Sequence, residues 1–119
     1  MKITAIRDHA LSLPEVTEEP HFEKASFRVR GKIFATLPAE EEYLHLFVAA
    51  EHRAAALDAH ADFIEELMWG KKVAGLRISL AHASSAAVKQ LVTQAWRDKA
   101  PKALVAKLAT LPKKSRPDI

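Results

Sequence analysis

From Ala25 to Leu37 the chain reads A-S-F-R-V-R-G-K-I-F-A-T-L, two alternating runs around a basic turn. Alternate residues of a strand point to opposite faces, so this pattern specifies a β-hairpin. With the loop at Arg30-Gly31-Lys32, Val29 faces Ile33, Phe27 faces Ala35 and Ala25 faces Leu37. One face is then wholly apolar, while Ser26, Arg28, Phe34 and Thr36 occupy the other. A two-residue turn at Arg30-Gly31 would set Lys32 among the apolar residues, so the longer loop is expected. The apolar face needs further elements to cover it.

Those elements follow from periodicity. Ile3, Ile6, Ala10 and Leu13 recur at helical spacing until Pro14 stops the helix. Residues 14–24, with two prolines and four glutamates, read as an acidic connection, extended in part near Phe22. Glu40-Glu41-Glu42 forms a polar turn before a third strand over Tyr43–Val48, with Leu44, Leu46 and Val48 inward. Residues 51–58 favour a helix anchored by Leu57. The segment from Phe63 to Trp69 fits either a helical face or a strand entering a second hairpin at Gly70-Lys71-Lys72. The clear alternation of Leu76, Ile78 and Leu80 after it favours the hairpin, because a strand needs a neighbour. Ser84 can cap a helix striped by Val88, Leu91, Val92, Ala95 and Trp96. Pro101 opens a last helix with Leu104, Val105 and Leu108 buried.

The result is an α+β order, α-β(3)-α-β(2)-α(2): one five-stranded antiparallel sheet with helices on one face and the other face open. The 119 residues suit a single domain over 1–111, followed by a basic, flexible tail at 112–119. No apolar run is long enough to cross a bilayer, and the amino terminus lacks the apolar core of a signal peptide. With no cysteine there is no disulfide, thiol nucleophile or thiolate metal site, which suits the cytoplasm. A monomer or weak homodimer is expected.

The net charge of +3 is unevenly spread: seven basic residues against two acidic ones lie between Ala95 and Ile119. The six histidines show no metal-binding spacing, and the adjacent pairs Glu18-Glu19 and Glu65-Glu66 read as solvated faces. Neither a nucleophile motif nor a phosphate-cradling glycine loop occurs, so no catalytic residue, metal or cofactor is assigned. What remains is a pair of basic hairpin tips, Arg28, Arg30 and Lys32 on the first, and Lys71, Lys72 and Arg77 with Trp69 on the second. Protruding lysines and arginines neutralise phosphates, and an aromatic beside them stacks or wedges. The alternative is a protein- or small-ligand-binding module using the open face, where Phe34, Tyr43, His45, Phe47 and Arg28 meet.

Several stretches together resemble the MmcQ/YjbR family: L-P-E-V-T-E from Leu13, F-E-K-A-S-F-R-V-R-G-K-I-F-A from Phe22, W-G-K-K from Trp69, L-R-I-S-L from Leu76 and A-W-R-D-K-A-P-K from Ala95. The resemblance implies a fold similar to the CyaY-like or secretion-chaperone-like arrangement, and turns the 63–69 segment towards strand. It also implies DNA binding through a double wing of two β-hairpins, here the turns at Arg30-Gly31-Lys32 and Gly70-Lys71-Lys72. The expected function is therefore a non-enzymatic, largely sequence-independent DNA contact. Glu18, Glu19 and Glu40 to Glu42 would make a poor floor for phosphates.

Overall fold

A computed structural model describes residues 2–21, 24–37 and 42–110, with side chains up to Lys107. The readings that fall on Phe22, Glu40, Glu41, the Leu108 side chain and the 112–119 tail lie outside them. Helix α1 (Ile3–Ser12) leads into strands β1 (Val16–His21), β2 (Lys24–Val29), β3 (Lys32–Leu37) and β4 (Tyr43–Leu46). Helix α2 (Ala50–Ala59), strands β5 (Ile64–Trp69) and β6 (Lys72–Ser79), and helices α3 (Ser85–Lys99) and α4 (Lys102–Thr110) complete the order. The sheet is antiparallel throughout, in the order β1-β2-β3-β4-β6-β5.

The sheet thus has six strands rather than the expected five. The extra one, β1, is the acidic connection, paired along its length with β2 from Val16↔Val29 to His21↔Lys24. It sits at the sheet's edge, where four of its six residues are exposed, so its sequence carries no alternation to reveal it. An edge also tolerates Pro20, and charged side chains there discourage pairing with another chain.

The first hairpin turns on two residues, not three. Val29 pairs with Lys32, and Arg30 and Gly31 both have positive φ (51° and 81°), the signature of a type I′ turn. Lys32 is spared the core because it lies at the exposed tip. A β-bulge then slips the register, with Phe27 opposite Ala35 but Arg28 opposite Ile33. The outer pairs Phe27↔Ala35 and Ala25↔Leu37 stand as expected, but Ile33 and Phe34 do not. Phe34 is fully buried in the core, and Ile33 joins Arg28 on the face away from the helices. The second hairpin turns on Gly70-Lys71, with Trp69 opposite Lys72 and only the first turn residue at positive φ, a type II′ arrangement. Strand β4 ends at Leu46, two residues short of expectation, although Val48 is still buried.

A single core joins Ile6 and Ala10 of α1, Ala56 of α2 and Val88, Val92, Ala95 and Trp96 of α3 to Phe27, Val29, Leu44, Leu46, Leu76 and Ile78. The helices therefore cover one sheet face. Trp96 is fully buried and its indole N–H donates to the Pro14 carbonyl at 3.1 Å, pinning α3 to the exit of α1. Ser84 caps α3 by accepting the Ala87 N–H at 3.3 Å. Helix α2 has only Ala49 at its N-cap, and there Asp98 of α3 supplies the missing acceptor, taking the Ala49 N–H at 2.8 Å.

Candidate nucleic-acid interface

Strand direction puts both hairpin tips together. β3 and β6 each run antiparallel to β4, so they run parallel to one another, and the turns that open them lie at the same end of the sheet. Between these two wings β4 stops early, and the chain leaves over Gly75. An added Cβ on Gly75 would lie 2.2 Å from the Leu46 carbonyl oxygen and 3.1 Å from Phe47 Cα. The crossing backbone therefore seats Phe47 between the wings.

The two wings differ in how much of their charge is free. On the first, Arg30 forms a two-pronged ion pair with Glu15, its Nη2 donating to Oε2 at 3.0 Å. The hydrogen bond from Arg30, more than its charge alone, holds the Glu15 carboxyl below its usual range. Arg28 is half-buried and donates to the Ser26 hydroxyl at 3.1 Å, leaving Lys32 as this wing's exposed basic residue without an ion pair among the described residues. On the second wing, Lys71 and Lys72 are both exposed and likewise form no ion pair among the described residues. Trp69 beside them is 65% exposed, its ring tilted against Phe47 at 5.5 Å between centroids. Arg77 does not belong to this tip. It lies in mid-sheet, stacked 3.7 Å above the Tyr43 ring and ion-paired with Glu65. Of the seven residues singled out in the sequence, Trp69, Lys71 and Lys72 form one cluster, Lys32 stands on the neighbouring wing, and Arg28, Arg30 and Arg77 are engaged internally.

The face away from the helices is not a bare surface. Glu19, Ser26, Thr36, His45, Arg77 and Glu65 form one cross-strand row over all six strands. At its centre Ser26 and Thr36 are buried, and Ser26 donates to the Glu19 carbonyl at 2.7 Å. Burial, reinforced by the charges of Lys24 and Arg77, lowers the His45 pKa and favours its neutral form. Phe34 is lost from this face, while Tyr43, His45 and Phe47 remain half-exposed. Where the face meets the wings it opens into a groove of about 560 Å³, lined by Ile33, Thr36, Phe47, Trp69, Lys72 and Lys99 among others. Sequence reasoning set Thr36 on this face but did not bring Ile33 or Lys99 here. Ile33 depends on the bulge, and Lys99 arrives from the end of α3.

Glu18 and Glu19 lie on β1, at the opposite edge of the sheet from β5. Glu18 faces the helices and pairs with Arg7 at 2.8 Å. Among the described residues no three His, Asp or Glu side chains gather as a metal site requires, and no helix is long and apolar enough to cross a membrane.

The fold and its paired tips define an α+β domain built on one antiparallel sheet with two β-hairpin turns at the same end. The YjbR family model matches residues 11–98, and the chain belongs to the YjbR family. A solved structure of similar fold is that of the Deinococcus radiodurans protein DR2400, of family-model domain DUF419. It superposes with a TM-score of 0.71 at 18% identity, over 93% of this chain and 89% of that one. No curated protein matches the chain.

Proposed function

We propose that this is a non-enzymatic nucleic-acid-binding domain that touches DNA phosphates chiefly through the β5–β6 wing. The observation that carries this reading is the exposed trio Trp69, Lys71 and Lys72 at one protruding tip, with both lysines unpaired among the described residues. Lysines hold phosphates as point charges, and an exposed indole beside them offers a stacking or wedging surface. Lys32 on the neighbouring wing extends the contact, whereas Arg30 must first leave Glu15. Neither turn carries Asn or Gln to read adenine edges, so binding is largely independent of sequence, with Kd about micromolar or weaker at physiological salt. The lack of cysteine fits the cytoplasmic setting that such a role calls for.

The test is a DNA titration across a range of salt concentrations. Lys71→Ala with Lys72→Ala should leave the melting temperature unchanged and flatten the slope of log affinity against log salt by about one to two units. Arg30→Ala should flatten it less, because Glu15 already neutralises that charge. An absence of binding at low salt, or an unchanged slope in the double variant, would overturn the proposal.

A further inference from the structure

The groove between the wings has an unusual mixture of surfaces. Ile33 and Phe47 give it an apolar floor, and Trp69 stands at its side with an exposed ring. Lys72 and Lys99 line it, and among the described residues no carboxylate does. Thr36, 3% exposed, also lines it, and its hydroxyl lies buried without a hydrogen-bond partner among the described residues. Buried hydroxyls are nearly always paired, and an orphan one in a groove wall asks for a partner from a ligand. The volume of about 560 Å³ falls within the roughly 300–1,000 Å³ typical of small-molecule sites.

These features specify a flat ring system with a polar edge and an attached anion. We infer that the groove holds one unstacked nucleobase together with its phosphate, so that the domain grips unpaired strands in preference to duplex. The inference rests on the second wing being a nucleic-acid contact, and adds what that wing delivers into the groove. The base lies along Trp69 over the apolar floor, where stacking tolerates any sequence. One of its edge groups takes or gives the hydrogen bond that Thr36 Oγ1 lacks, and Lys72 and Lys99 face the phosphate. A base within a duplex has its edge paired and both faces stacked, so it cannot enter without being extruded.

Trp69 fluorescence reads the event, since Trp69 is 65% exposed while Trp96 is fully buried. Four probes at low salt separate the contributions: oligothymidylate, an abasic strand of equal length, a duplex, and free deoxyadenosine monophosphate. Oligothymidylate should bind about tenfold more tightly than the abasic strand and quench Trp69. Thr36→Val, which removes the hydroxyl at nearly constant shape, should weaken the base-bearing strand several-fold. The same variant should leave the abasic strand and duplex unaffected and should not lower the melting temperature. Equal binding of base-bearing and abasic strands, or no effect of Thr36→Val, would overturn the groove inference while leaving the wing reading intact. Quenching by the free nucleotide with no strand bound would support the groove as a nucleotide site and overturn the wing reading. Silence from all four probes would overturn both.

Discussion

Replacing Gly75 with alanine tests the crossing that separates the wings. A methyl group there would sit 2.2 Å from the Leu46 carbonyl oxygen, with the Leu46 carbonyl carbon and Phe47 Cα each at 3.1 Å. Ordinary carbon–oxygen contacts lie near 3.3–3.6 Å, so the two backbones must part by about 1 Å. No side chain can rotate to relieve this, because every obstructing atom is main chain. The segment that must move is held on both sides, by pairing of Leu46 with Leu76 and by the Phe47 N–H donating to the Phe34 carbonyl at 3.0 Å. Overpacking a formed core costs about 1–3 kcal/mol. Loss of one ladder hydrogen bond adds about 1 kcal/mol, so the expected destabilisation is about 2–4 kcal/mol. For a chain of this size that lowers the melting temperature by about 8–16 °C. Urea denaturation and a thermal melt followed by circular dichroism measure it. Gly31→Ala is the control: Gly31 has φ +81° but nothing within 4 Å of an added Cβ, so only the left-handed backbone is penalised, at about 1–2 kcal/mol. A Gly75→Ala variant within about 1 kcal/mol of the parent, or no less stable than Gly31→Ala, would refute the close approach.

Phe27 is fully buried, so Phe27→Ala should cost about 3–5 kcal/mol in urea denaturation, while a change below about 1 kcal/mol would mean the hairpin's inner face is solvated. Asp98→Ala should cost about 2–3 kcal/mol by the same measurement, because it strips the Ala49 N–H at 2.8 Å and Gln94 Nε2 at 2.9 Å of their acceptor. Burial lowers the pKa of both His9 and His45 below the ordinary 6.5, so as pH falls through that value the unfolded chain takes up protons that the folded one resists. Stability present at pH 7.5 should therefore decline towards pH 5.5, and His9→Gln with His45→Gln should flatten that decline; an equal decline in the variant would refute the assignment.

What could be read in the sequence follows burial. Strands β2, β3, β4 and β6 each bury part of one face, and their apolar residues mark them; β5 buries only Ile64 and Leu67, a spacing that fits a helix as well, and the α3 stripe places Trp96 in the core. β1 escapes because V-T-E-E-P-H buries no residue fully and so leaves no period. The bulge escapes for a different reason. Moving the register by one residue exchanges Ile33 and Phe34, two large apolar residues that satisfy the alternation equally well in either place. Only the fit of Phe34 into the assembled core decides between them. Gly75 likewise looks like any strand glycine until the path of residues 46–47 is known. The basic tips were legible as composition. Their engagement was not, because Glu15 reaches Arg30 across fifteen residues of chain and Glu65 reaches Arg77 across twelve.

That engagement determines which end of the molecule attracts an anion. Counting Lys and Arg at the two turns makes the wings equivalent, but a cation with a carboxylate held against it presents little net field beyond a Debye length of about 8 Å. Arg30 and Arg77 are both so neutralised, while Lys71 and Lys72 are exposed and form no ion pair among the described residues. The second tip, next to the most exposed aromatic ring described, is thus also the one where released counterions yield the most free energy. The acidic β1 edge lies on the far side of the sheet from it, with β2, β3 and β4 intervening. On the proposed reading, a strand of phosphates would meet repulsion along one edge and attraction along the other, which would orient it across the groove lined by Lys72, Lys99 and Thr36.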